Sequence, residues 1–209
     1  MTIFVRAARA TTVVWPAGRP LIRCYTASYG PLSFNPTDGS ARFRPTFETN
    51  SKTGDRTLTP TAYVGEDAEI ALAETVLREA VPGGFLPASR LKGLAIAGLV
   101  STEHLPLLQL NGYGLKRLGL ERADVIDTGS HAYPETARIA QALQDAHPDA
   151  AGIIWTSHQA DHGDAAILWE TRLDAGALTV VDGPLDLDGS IGTALVRNAC
   201  QSLDVVLVP

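Results

Sequence analysis

Two short apolar runs, Ala151–Thr156 and Ala165–Thr171, stand on either side of the polar segment HQADHGD. Runs of this length, rich in Ile and Trp and divided by turn formers, predict two strands of a hairpin joined by a medium loop. Ser157 falls at the mouth of that loop. Upstream, Thr61–Val64 is followed by Gly65, by Glu66 and Asp67, and by an Ala/Leu-rich segment to about Ala80. That order reads as strand, turn and helix. Leu91–Val100 and Asp124–Asp127 look like short strands. Pro134–His147 has a helical start at Pro134 and apolar spacing at Ala137, Ala140 and Leu143, which predicts a second helix. Ile191–Leu203 reads as a helix, and Asp204–Val208 as a final buried strand.

The segment from Leu32 to Pro60 is rich in Ser, Thr, Gly, Pro and Asn and poor in aliphatics, so a long loop is expected. Loops that long are usually functional or disordered. There is no internal repeat and no low-complexity tract, and 209 residues at 45% hydrophobic content can bury one core. The expectation is an α+β fold with a single domain over residues 1–209.

Composition removes several classes of function. Lys+Arg 17 against Asp+Glu 23, mixed along the chain, leaves no basic footprint for nucleic acid. The net charge of -6 suits ordinary solubility as well as attraction to a basic protein. Cys24 and Cys200 are the only cysteines and form neither a CxxC nor a dense pattern, which argues against a disulfide framework and a zinc module and fits a reducing cytoplasm. Arginines interrupt the N-terminal apolar runs, so no signal peptide is read there, and that segment is expected to belong to the domain. No stretch approaches the roughly 18 apolar residues of a membrane span. A cytoplasmic protein is expected.

Glu74 is the sharpest anomaly. On a helix with Ile70, Ala73, Leu77 and Val81 its spacing places a carboxylate on the apolar face. Burying an ionised carboxylate is costly without a compensating partner, so the position implies a buried ion pair or a site. The plainer alternative is a pair with Arg78 at i+4, or a place at the edge of the stripe. Tyr63, 11 positions earlier, is either core or a stacking platform for a heterocycle. Arg23 interrupts the strand-like Leu21–Tyr25, and Arg42 and Arg44 stand in the polar loop. Their planar forks suit a pyrophosphate, although surface salt bridges are the plainer explanation of such residues taken alone. Ser157 can bond a ligand amide or ribose or simply form the turn. No G-x-S-x-G surrounds it, so a triad with His158 and Asp161 or His162 is poorly supported. A metal site on His158, Asp161, His162 and Asp164 lacks a recognised ligand spacing, and none is expected. No GxGxxG follows a strand and no GxxxxGK[ST] occurs, so neither a Rossmann nor a P-loop cofactor site is supported.

Taken together, Arg23-Cys-Tyr25, GSARFRP, TAYVGEDAEIALAE, AYPETARIAQAL and AGIIWTSHQADHGDAAILWE, in that order, resemble the RES-domain family from about residue 21 to 171. The resemblance implies an ADP-ribosyltransferase-like split β-sheet core with flanking helices, whose cleft holds NAD as substrate. It also implies a toxin that depletes NAD and is neutralised by an Xre-like antitoxin. By position it carries Glu74, Arg42 and Ser157 over as catalytic, and Arg23, Tyr25, Arg42, Tyr63 and Ser157 as NAD-binding. The chain departs from the family in a longer segment between Arg42 and Tyr63 and in Ala41 before Arg42, which leaves Arg42 and Arg44 both open as the site arginine. The implied chemistry is loss of nicotinamide through an oxocarbenium-like transition state. Water as acceptor gives a glycohydrolase and phosphate an NAD phosphorylase. A protein acceptor gives an ADP-ribosyltransferase, and a silent binding module is the non-enzymatic alternative.

Overall fold

The computed structural model describes residues 4–209, so Met1–Ile3 of the N-terminal segment expected within the domain lie outside the described residues. Strands β1 (Thr12–Trp15) and β2 (Pro20–Thr26) precede the polar stretch. That stretch is irregular except for a small hairpin of β3 (Phe47–Thr49) and β4 (Arg56–Leu58). β5 (Thr61–Gly65), α1 (Ala68–Ala73), β6 (Phe85–Pro87), β7 (Leu94–Ser101) and β8 (Leu105–Gln109) follow. Three helices, α2 (Gly112–Leu118), α3 (Arg122–Val125) and α4 (Tyr133–Ala146), lead to the hairpin of β9 (Gly152–Thr156) and β10 (Asp164–Trp169). β11 (Leu178–Asp186), α5 (Ser190–Ser202) and β12 (Val206–Val208) complete the chain.

Eight strands form one sheet in the order β1-β8-β9-β10-β5-β2-β7-β11. Every pairing in it is antiparallel except β8 with β9, which needs the long crossover through α2, α3 and α4. The sheet is nearly broken in the middle. β2 pairs with β7 continuously from Pro20↔Val100 to Thr26↔Leu94, but meets β5 at a single register pair, Ile22↔Gly65. From that point the two strands diverge, and the fold is the split-sheet α+β single domain expected. Gly65 stands at the apex because a Cβ there would lie 2.6 Å from the backbone nitrogen of Ala71. Only glycine lets α1 fold back so closely on the end of its strand.

Side-chain alternation along the strands separates two cores. On one face Ile153, Trp155, Ile167 and Trp169 pack against Leu118, Val125, Ile139 and Leu143 of the crossover helices. On the other, Ile154, Ala166 and Leu168 join Leu21, Val64 and Leu99. A third cluster lies between α1 and α5 and contains both cysteines, which are free and buried. Among the described residues no helix is long and apolar enough to cross a membrane.

Several expectations need correction. The first helix stops at Ala73 instead of reaching Ala80. Thr75 Oγ1 donates locally to the Ala71 carbonyl at 2.6 Å, and Gln159 Nε2, from the β9–β10 loop, lies within 3.1 Å of the carbonyls of Leu77, Arg78 and Ala80, so side chains satisfy backbone groups that a longer helix would use. Asp124 and Val125 belong to α3, not to a strand, because Glu121 and Asp124 form a reciprocal cap at its N-terminus. β7 begins at Leu94 instead of Leu91. β12 is not buried: it pairs in parallel with β6 in a separate two-stranded sheet, with Val206 53% exposed. β8, β11 and α2 were not anticipated.

Candidate active site

Phe43 organises the site. It is fully buried, its ring centroid is 5.1 Å from that of Trp155, and its N–H donates to Thr136 Oγ1 at 3.2 Å. Its backbone is left-handed at φ 64, an uncommon state for a bulky residue, held here by the packing of the ring. The flanking arginines therefore leave the loop in different directions. Arg42 runs inward, with Nη1 3.5 Å from Glu74 Oε2 and Nη2 donating to the Thr128 carbonyl at 3.2 Å. Arg44 lies on the wall of a cleft and is held there by the carbonyl and, at 2.9 Å, the hydroxyl of Thr37.

That cleft, about 460 Å³, occupies the divergence of β2 and β5. Arg23 and Tyr25 come from β2, Tyr63 from β5, Asn35 and Arg44 from the surrounding loops, and Arg90 from the 3-10 helix Ala88–Leu91. Arg23 donates to the carbonyls of Pro31, at 2.7 Å, and Ser33, and its guanidinium stands 5.6 Å from the Tyr25 ring centre. Burial pulls Arg23 down to about 10, which leaves it charged at neutral pH. Burial also pushes the Tyr25 and Tyr63 phenols up, so both stay neutral donors. The Tyr63 hydroxyl donates to the Arg42 carbonyl, and its ring meets Trp155 edge-on at 6.3 Å.

Glu74 ends α1 and is 7% exposed. Besides Arg42 it accepts the His158 N–H, on Oε1, at 3.3 Å. The local pair with Arg78 does not form, because the helix that would have aligned the two residues has already ended. Arg78 instead stacks on Tyr133 at 4.7 Å. Burial pulls Arg42 down while the carboxylate of Glu74 raises it. A constricted void bounded by Cys24, Tyr63, Glu74 and Thr75 separates the carboxylate from the cleft, so Tyr63 and Thr75 form the partition between them.

Ser157 is fully buried at the start of the β9–β10 loop. Its hydroxyl accepts a long bond, 3.5 Å, from the Ala160 N–H, while its N–H donates to the Gly163 carbonyl at 2.9 Å. It closes the turn that presents the His158 N–H to Glu74. No serine triad forms, since His158 Nδ1 meets Asp127 at 2.8 Å and Asp161 pairs with Arg122 at 3.1 Å. Among the described residues no three His, Cys, Asp or Glu side chains converge as a metal site.

The structure thus brings Arg23, Tyr25 and Tyr63 together on the cleft wall, Arg42 and Glu74 behind it, and Ser157 into the supporting turn. Asn35, Arg90, Thr128 and the His158–Asp127 pair were not singled out in advance. Only long-range folding brings them here, and no local pattern marks them.

A family model of the RES domain matches residues 20–188. Among solved structures, the chain is similar to one in the crystal structure of the M. tuberculosis MbcT–MbcA toxin–antitoxin complex. The identity is 17%, with 94% of this chain and 93% of that chain covered and a TM-score of 0.60. At that identity the likeness is one of fold. No curated protein matches the chain.

Proposed function

Because the chain belongs to the RES-domain family, we propose that it is a toxin-type enzyme that takes NAD into the β2/β5 cleft, breaks its nicotinamide–ribose bond and is restrained by an antitoxin. The observation that carries this reading is Glu74, a buried carboxylate held by Arg42 and the His158 N–H directly behind the aromatic wall of a cleft with three arginines. Arg23 and Arg44 supply permanent charge for the pyrophosphate, and Tyr63 supplies a ring against the nicotinamide end. The antitoxin rests on the fold shared with a chain of a toxin–antitoxin complex.

As the glycosidic bond breaks, its electron pair goes to the nicotinamide nitrogen, which leaves neutral, and positive charge grows on the ribose. Tyr63 and Thr75 stand between the carboxylate and the cleft, so on this reading the partition opens when NAD enters. A carboxylate then beside that carbon interacts more strongly with the transition state than with the ground state, which lowers the barrier. Arg42 keeps the carboxylate fixed, and its 3.5 Å separation leaves oxygen lone pairs free for ribose hydroxyls. Water or phosphate then takes the ribosyl carbon. With water a proton is released; with phosphate the product is the ribosyl phosphate.

Chromatography of nicotinamide and ribosyl products, with and without phosphate, tests this for the wild-type protein beside Glu74→Gln. Nicotinamide release that disappears in a folded Glu74→Gln is expected. Absence of turnover by the wild type in both buffers, or full turnover by the variant, overturns the reading.

A further inference from the structure

The N–H that meets Glu74 belongs to a peptide held at its other end. The Ser157 carbonyl and the His158 N–H are two sides of one peptide unit, and the N–H donates to Glu74 Oε1 at 3.3 Å. The carbonyl oxygen accepts from Arg122 Nη2 at 3.1 Å and from the Asp161 N–H at 3.0 Å. A peptide unit is planar, so a group that fixes the direction of its carbonyl also fixes the direction of its N–H. One guanidinium thus sets, from the far side of the peptide, the line along which the amide approaches Glu74.

Arg122 is itself clamped. It is the first residue of α3, whose reciprocal Glu121–Asp124 cap fixes the turn. Nε donates to both oxygens of Asp127, at 2.9 and 3.2 Å, Nη1 to the Thr156 carbonyl at 3.4 Å, and Nη2 also pairs with Asp161 at 3.1 Å. Asp127 in turn meets His158 Nδ1 at 2.8 Å, so the cation and the residue that it orients share one carboxylate. The turn does not need Arg122 to close, since the Ser157 N–H reaches the Gly163 carbonyl and the Asp161 N–H reaches the Ser157 carbonyl. What Arg122 adds is a positive charge on the one carbonyl whose amide faces Glu74. Hydrogen bonds in series polarise one another, and a cation on the oxygen makes the N–H a stronger donor.

We propose that Arg122 is a positioning residue for the reaction, acting on the Glu74 carboxylate through the Ser157–His158 peptide. The kinetic consequence rests on the NAD-cleaving reading; the link to Glu74 does not. Arg122 lines neither the cleft nor the void beside Glu74, so its loss leaves substrate binding in place and weakens the chemical step.

The link is tested in NAD-free protein labelled with nitrogen-15, by following the His158 amide proton in wild type, Arg122→Met, Arg122→Lys and Glu74→Gln. A bond to a carboxylate holds this proton downfield. It is expected to move upfield in Arg122→Met and in Glu74→Gln, and less in Arg122→Lys, which keeps the charge without the fork. In NAD turnover by the same proteins, Arg122→Met should lower kcat about tenfold with KM within about threefold, and Arg122→Lys should recover part of the loss. Circular dichroism confirms that each variant is folded, and if Arg122→Met is not, Arg122→Lys carries both measurements. An amide proton that stays at its wild-type position in the Arg122 variant overturns the link. Wild-type kcat in the folded variant, even with a lowered unfolding temperature, overturns the positioning role and leaves Arg122 a fastener of the loop. Failure of the wild type to cleave NAD counts against the NAD reading, and the amide proton still decides the link.

Discussion

Arg42 and Glu74, 32 positions apart in sequence, face one another at 3.5 Å with side chains only 3% and 6% exposed. Removing two charges from water offsets much of their attraction, so the pair adds little net stability, but either charge left alone is heavily penalised.

Arg42→Met therefore destabilises the protein by about 3 kcal/mol or more. In the double variant Arg42→Met/Glu74→Leu most of that loss is recovered, because no buried charge is orphaned. Urea unfolding of the four proteins in the cycle measures the coupling, and strictly additive losses would show that the two side chains act independently.

Tyr63 combines a hydroxyl that holds the Arg42 loop with a ring that faces the cleft. Tyr63→Phe loses one hydrogen bond, about 1 kcal/mol of stability, and leaves KM for NAD within about threefold. Tyr63→Ala removes the ring and raises KM by about tenfold or more. Steady-state kinetics of the two variants separate the roles, and equal KM values for Phe and Ala would rule out stacking.

Ser157 acts through the turn that it closes. Ser157→Ala loosens the placement of the His158 N–H against Glu74, so kcat falls about tenfold while KM stays nearly unchanged. A rise in KM at constant kcat would instead put the hydroxyl in direct contact with the substrate.

Glu48 fastens the long polar loop to the body of the protein. Arg172 donates to both of its oxygens, at 2.6 and 2.9 Å, with Gln144 at 2.8 Å and Thr171 at 2.9 Å. Burial alone would raise this carboxyl, but the bonds from Arg172, Gln144 and Thr171 outweigh it and hold it below its usual value. A depressed acid contributes its stability above the unfolded value of about 4.3 and loses it as pH falls through the folded one. The gap in unfolding temperature between wild type and Glu48→Gln should accordingly be full at pH 7 and shrink below about pH 4. A gap that does not change with pH would refute the assignment.

Elements whose period and boundaries are local could be read from the sequence: the strand at Thr61–Gly65, the helix from Tyr133, the β9–β10 hairpin and the helix before Ser202. The errors arose where tertiary contacts replaced a local preference. α1 is cut short by Gln159, 79 to 82 residues away, and that shortening is what separates Glu74 from Arg78 and gives it to Arg42. The anomaly of a carboxylate on an apolar face was visible in the spacing around Glu74, but its partner was not, since no pattern links positions 42 and 74. Arg42 and Arg44 could not be told apart for the same reason. Phe43 sends them to different sides, and its seat on Trp155 exists only after the sheet has formed.

The contacts of Glu74 draw on positions 42 and 158, those of Arg42 on position 128 as well, and the seat of Phe43 on position 155. A growing chain on the ribosome carries the arginines, the tyrosine and the carboxylate long before β9 and β10 emerge to assemble them. From Glu74 until β10 is complete at Trp169, those groups are present and not yet in place. On the proposed reading, the order of translation leaves the unfinished polypeptide without an assembled site, and any restraining partner needs to meet only completed molecules.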